Sequence, residues 1–242
     1  NPSFKNSELY EFYNKFNEDC NTNVDDLYST IQISPEVIGL STKNFCNKFF
    51  CKLKQLLKRE RDYFTKKDES HNINNRCTFL KFWFYDQVIK EKLTENDVKS
   101  IIHHWKRQKD VFLSEYECPC EFYEMKENEI KDIKKLYDYF VFYDVYKKFS
   151  IINNKIYNSS YCKYLKNAID VYNSKVANCK EIENSVCKEF NNYIKHSINA
   201  DYLLPFNGGC KNEKLSKSRY RSSEPLVTVD SSLLSLLEEV HF

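Results

Sequence analysis

Cysteine content is the feature that most constrains this chain. Ten cysteines occur in 242 residues, whereas glycine occurs only three times and proline five times. Reducing compartments rarely hold so many cysteines unless they bind metal, and an even number permits complete pairing. We therefore expect an oxidising environment and five disulfides, formed by Cys20, Cys46, Cys51, Cys77, Cys118, Cys120, Cys162, Cys179, Cys187 and Cys210.

Helices fit the composition better than strands do. Glycine and proline are too scarce for the many tight turns of a β-sandwich or the phosphate loops of a doubly wound α/β fold. Apolar residues recur instead at spacings of three and four, which is typical of amphipathic helices. The sequence predicts an all-α fold, a disulfide-stapled helical bundle of about seven helices with long loops. The helices are expected at about residues 7–20, 43–66, 75–88, 94–112, 129–149, 161–176 and 184–197.

Two helix starts have a capping signal. Asn75 can cap the third helix through its side chain. Thr94 and Asp97 resemble a capping box at the start of the fourth, with Asp in place of the usual Glu. A further short helix is expected near Ser34, because Ser is a good cap and Pro35 suits a first turn.

The domain organisation is expected to be simple. Residues 1–210 are predicted to form one helical ectodomain, and residues 211–242, rich in Lys, Ser and Arg at their start, a flexible linker. The chain opens without an initiator Met and has no run of about 18 apolar residues. We interpret it as a piece of a longer protein.

Disulfide pairing can be narrowed by assuming that consecutive helices run up and down. Cys20, Cys46, Cys51 and Cys162 then lie near one end and the other six near the opposite end, with Cys210 placed there by parity. Bonded cysteines need Cα atoms within about 7 Å, so pairs should form within each end. Cys77 is expected to bond with Cys118 or Cys120, and Cys179 with Cys187.

No motif indicates catalysis or a cofactor. Lys and Arg number 37 against 35 for Asp and Glu, which gives no pull toward nucleic acid. Phosphate loops, dinucleotide fingerprints and protease signatures are missing from the sequence. A zinc site built from His103, His104, Cys118 and Cys120 remains an alternative, although the spacing is poor. Otherwise, one of the two histidines faces solvent and the other flanks the core beside Trp105.

Contact surfaces are expected on loops. Residues 21–42 and 66–75 lie between predicted helices and can vary without disturbing a core. Asn158 begins a formal glycosylation sequon. The aromatic residues Phe79, Phe82, Trp83, Phe84 and Tyr85 surround one helix, so they cannot all be buried on one side of it. Those that face outward can anchor a protein interface or be covered by a second layer of helices, and the core role is favoured over the interface.

Two segments carry a family resemblance. The residues CTFLKFWFYDQV from Cys77 to Val88 and IKKLYDY from Ile133 to Tyr139 resemble signature segments of the Plasmodium interspersed repeat (PIR) proteins, whose vivax members are called VIR. The order of Cys20, Cys162, Cys179 and Cys187 is also similar, and the resemblance covers roughly residues 7–210.

The resemblance implies a variant surface protein at the surface of infected erythrocytes, attached to the membrane only through a C-terminal segment absent from this chain. It implies adhesion to a host cell-surface protein receptor or immune modulation, and no catalytic residues. A structural or trafficking protein inside the infected cell, without receptor contact, is the alternative.

Overall fold

The structure of the protein, a computed structural model, describes residues 8–18, 39–59, 73–112, 120–146, 157, 162–180, 184–195 and 210. These residues form helices and no strand, which confirms the predicted all-α fold class. The helices are α1 (Glu8–Asn17), α2 (Leu40–Arg59), α3 (Ile73–Lys90), α4 (Glu95–Phe112), α5 (Glu127–Tyr146), α6 (Cys162–Asn178) and α7 (Ser185–Glu189), and α7 continues as a π-helical turn over Phe190–Ile194.

Two compact units divide the described residues. The N-terminal unit spans Glu8–Glu127, and the C-terminal unit starts at Asn128 and contains α5 from that residue onward, α6 and α7. The predicted linker over residues 211–242 and the predicted short helix near Ser34 lie outside the described residues. The single ectodomain over residues 1–210 stays a prediction.

Local signals explain how α3 ends and α4 begins. Lys92 has a φ of 53°, and the amides of Lys92 and Leu93 donate to the carbonyls of Ile89 and Val88 at 3.1 and 3.0 Å. This is a Schellman motif, with a lysine in the left-handed position that glycine usually takes.

The predicted capping box at the start of α4 is confirmed. The Asp97 amide donates to Thr94 Oγ1 at 3.2 Å, and the Thr94 amide donates to Asp97 Oδ2 at 2.9 Å. The other carboxylate oxygen of Asp97 accepts from Thr42 Oγ1 at 2.5 Å, so this cap also holds the start of α2.

The predicted cap at Asn75 is wrong, because α3 begins at Ile73. Asn72 and Asn74 precede Asn75 in the sequence, and all three are asparagines, which cap helices equally well. Sequence alone gives no basis for choosing among them. The start of α2 at Leu40 likewise precedes the predicted Lys43.

Phe49 on α2 is the centre of the aromatic core of the N-terminal unit. Its ring centroid lies 5.4 Å from that of Trp105 on α4 and 6.0 Å from that of Trp83 on α3. It also contacts further rings on α1, α2 and α3 and in the segment after Cys120, namely Phe16, Phe45, Phe50, Phe84 and Phe122. One side chain therefore joins four helices.

The aromatic residues of α3 have the core role favoured for them, and the alternative of an exposed aromatic interface on this helix is wrong. Phe79, Phe82, Trp83, Phe84 and Tyr85 are all buried, as is every side chain from Cys77 to Val88. A helix that is covered all round carries no amphipathic stripe, so its pattern does not distinguish an inner from an outer face.

The C-terminal unit is joined by buried polar contacts between its helices. Tyr137 on α5 donates to Glu189 on α7 at 2.6 Å. Tyr164 on α6 donates to Asp138 on α5 at 2.6 Å, and Lys134 donates to the same carboxylate. These bonds satisfy carboxylates that would be costly to bury alone.

Phe49→Ala should destabilise the protein by about 4 kcal/mol, because the ring leaves a cavity that four helices cannot all close. Denaturant unfolding of the oxidised protein measures the loss. Lys58→Ala on the exposed part of the same helix is the control, with an expected change within about 0.5 kcal/mol. Equal effects of the two substitutions would contradict the central role of Phe49.

Candidate functional site

Disulfides hold both units at their helix ends. Cys77 bonds with Cys120, Cys162 with Cys210, and Cys179 with Cys187, with Cα atoms 5.1–5.7 Å apart. The first and last of these agree with the pairs expected from the sequence. Cys51 is disulfide-bonded as well, to a cysteine outside the described residues.

The bond between Cys162 and Cys210 contradicts the predicted placement of these residues at opposite ends. Parity alone had assigned Cys210 to its end. The 16 residues from Ile194 to Cys210 can span about 50 Å when extended, twice the roughly 25 Å length of α6. Cys210 can therefore reach the start of α6 as easily as its end.

The prediction that all ten cysteines pair is wrong at Cys46, which is a free thiol with 0% exposure. Because Cys162 bonds with Cys210, only Cys20, Cys46 and Cys51 remain at the end predicted for Cys46. Three cysteines cannot all pair with one another. Burial raises the pKa of the Cys46 thiol to about 12, so it stays protonated and unreactive at neutral pH. Cys20 and Cys118 lie outside the described residues, and their pairing stays a prediction.

Alkylation tests the state of Cys46. We expect iodoacetamide to leave Cys46 unmodified in the native oxidised protein and to modify it after denaturation without reductant. Peptide mass spectrometry locates the label. Modification of native protein at Cys46, or no modification after denaturation, would contradict a buried free thiol.

Loop length predicts how much two of the disulfides contribute. The Cys162–Cys210 bond closes a separation of 48 residues and Cys179–Cys187 one of 8. In the chain-entropy model the long closure contributes about 4 kcal/mol and the short one about 2.5 kcal/mol. Paired Cys→Ser variants of each bond, compared by denaturant unfolding, should differ in that order. A larger loss from the short bond would contradict the model.

His103 and His104 differ as the sequence predicts. His103 is exposed, whereas His104 is buried with its ring against that of Phe50, which in turn stacks on Trp105. The zinc alternative loses one ligand, because the Cys120 sulfur is bonded to Cys77. Within the described part of the chain, no group of three or more metal-binding side chains converges.

A buried chain of polar groups joins α1, α2 and α3. Tyr13 donates to Asp86, and Gln87 donates to the Tyr13 hydroxyl at 3.3 Å and accepts from Lys48 at 3.1 Å. Burial, together with the adjacent Asp86 carboxylate, raises the pKa of Tyr13 above its ordinary value, so the hydroxyl keeps the proton that it donates.

Lys81 on the same buried helix is also satisfied. Its ammonium donates to the Glu121 carbonyl and lies 4.5 Å from the centroid of the Phe122 ring. These contacts fix the segment that follows Cys120 and make the polar residues of α3 part of the scaffold.

The two segments that contain most of the expected contact loops, residues 19–38 and 60–72, begin next to each other. Residues 19–38 and 60–72 lie outside the described residues, but the residues at their roots are described. Glu18, at the end of α1, and Arg59, at the end of α2, form an ion pair of 3.9 Å with both side chains more than half exposed. Sequence reasoning missed this juxtaposition, because nothing local signals a pair 41 positions apart.

The root of the first loop is fixed by the core. Trp83 Nε1 donates to Asn17 Oδ1 at 2.9 Å, which ties the end of α1 to buried α3. The second loop returns to the chain at Ile73, four residues before the disulfide of Cys77. Both loops are therefore anchored on a rigid, cross-linked base.

Taken together, the described residues define a disulfide-braced, all-helical protein whose N-terminal unit has a packed aromatic core. None of its described helices is both long and apolar enough to cross a membrane.

The family follows from a match over most of the chain. The model of the Plasmodium vivax Vir protein family matches residues 7–235, so the chain belongs to that family, as its signature segments predict. Neither the curated proteins nor the solved structures contain a match to it.

Proposed function

We propose that this Vir protein binds a host cell-surface receptor from the surface of the infected red cell. Vir membership supports a variant surface antigen and gives no indication of catalysis. Receptor contact is the finer step, and we assign it to the loops at residues 19–38 and 60–72.

The observation that carries the proposal is the pairing of Glu18 with Arg59. It roots the two loops next to each other on the N-terminal unit, so one partner can touch both. An exposed ion pair adds little stability, about 0–1 kcal/mol, so we use it as a marker of proximity and not as a source of energy.

The cross-linked base supports the same proposal. Disulfides persist in oxidising, extracellular settings, so the bonds Cys77–Cys120, Cys162–Cys210 and Cys179–Cys187 support this proposal. Loops on a rigid scaffold can change sequence without changing the fold, which suits a variant antigen.

A binding screen of the folded, oxidised protein against displayed human cell-surface receptors tests the proposal. Replacing residues 21–38 by a Gly-Ser loop of the same length, which keeps Cys20, or replacing residues 60–72 in the same way, should weaken an identified interaction at least tenfold, about 1.4 kcal/mol. Asn167→Ala with Asn173→Ala, on the exposed face of α6, is the matched control and should bind normally.

Two results would overturn this assignment. Binding that survives both loop replacements would remove the loops from the contact surface, and silence across the whole screen would count against receptor binding. Antibody labelling of intact infected cells addresses the alternative, because a structural or trafficking protein inside the cell would stay unlabelled.

A further inference from the structure

His104 occupies an unusual position in the core of the N-terminal unit. Its side chain is on α4 with 7% exposure, and its ring meets the Phe50 ring of α2 edge-on at 5.4 Å. The Nε2 atom is buried and has no hydrogen-bond partner among the residues that the structure describes. A neutral imidazole tolerates this site, whereas an imidazolium there would carry an unsatisfied charge.

Its own helix offers no counter-ion. The neighbouring groups that act on His104 are Arg107 and His103, which are cationic or become so in acid. Burial first, and then these two neighbours, hold the pKa of His104 below its usual range. All three causes therefore oppose protonation.

The facing helix offers none either. Phe50 is the ring that α2 places against His104, and the ionisable residues one helical turn away are Cys46 and Lys54. The Cys46 thiol stays neutral, because burial raises its pKa, and Lys54 is a cation.

Carboxylates on the other packed elements already have partners. Glu121 pairs with Lys109 at 2.5 Å, and Glu124 pairs with Lys99 and Lys106 at 3.9 and 3.8 Å. On α3, Asp86 accepts from Tyr13. None of these groups acts on the His104 ring strongly enough to hold it charged.

We propose that His104 is an acid-sensitive switch, whose protonation breaks the packing of α4 on α2 and loosens the N-terminal unit. The same interface carries the Thr42–Asp97 bond, which lies where the first loop rejoins the scaffold at Gly39. Acid would therefore release one anchor of that loop. The inference concerns the scaffold and does not depend on the proposed receptor.

The direction of the pH dependence follows from linkage. Because the folded-state pKa of His104 is lowered, the unfolded chain binds the proton more readily than the folded chain does. The stabilising contribution of neutral His104 is complete above about pH 6.5, the ordinary histidine value, and is lost as the pH falls below it. Most carboxylates stay ionised down to about pH 5, so the window from pH 7.5 to 5.0 isolates histidine.

Thermal unfolding of the full oxidised chain at pH 7.5 and 5.0 tests the switch. We expect the melting temperature of the unaltered protein to fall by roughly 5 °C across this range. His104→Phe should remove most of that fall, because phenylalanine packs against Phe50 and does not ionise. His103→Gln is the control and should keep the fall, because His103 is exposed. An equal fall in His104→Phe, or none in the unaltered protein, would overturn the proposal.

Direct titration covers the case in which His104→Phe does not fold. NMR of histidine-labelled protein should show one imidazole whose titration midpoint lies well below pH 6.5. That signal should be missing from the spectrum of His104→Gln and present in that of His103→Gln, which assigns it to His104. A His104 midpoint at or above 6.5 would overturn the switch whatever the variants do.

Discussion

Packing around the Phe49 ring is the interaction on which the N-terminal unit depends. Aromatic rings from α1, α3 and α4 meet it, and each is large enough to bridge the distance between helix axes. Phe122 joins from the segment that begins at Cys120, two residues after the disulfide with Cys77. The cross-link and the ring therefore reinforce each other: the bond keeps Phe122 near, and the ring contacts keep α3 and this segment in register.

Sequence alone predicted most of the helices, because amphipathic spacing is local. It also predicted the cap formed by Thr94 and Asp97 and the short disulfide between Cys179 and Cys187. It was wrong where the answer depended on distant parts of the chain. The burial of α3 on all sides and the bond from Cys162 to Cys210 are properties of tertiary packing, to which periodicity and parity are blind.

The segments that carry the family resemblance turn out to be scaffold. Cys77 to Val88 is wholly buried, and Tyr137 and Asp138 of the second segment make buried hydrogen bonds in the C-terminal unit. Such segments can identify the family because the fold requires them, and they leave the loops free to differ. The sequence could therefore name the kind of protein, whereas the adjacency of the loop roots at Glu18 and Arg59 required the structure.

Tyr13 and Lys81, two buried polar side chains of the N-terminal unit, are hydrogen-bonded, whereas the Nε2 atom of His104 is not bonded within the described residues. Tyr13 and Lys81 each lie in the core with a hydrogen-bond partner, so their burial is stable at every pH at which the partner persists. Trp105, beside His104, has a buried Nε1 without a partner, but an indole does not ionise, and its cost is the same at all pH values. The cost at His104 rises when its imidazole binds a proton and becomes charged. Because its unbonded nitrogen can bind a proton, His104 makes the free energy of unfolding depend on pH, whereas the unbonded nitrogen of Trp105 does not.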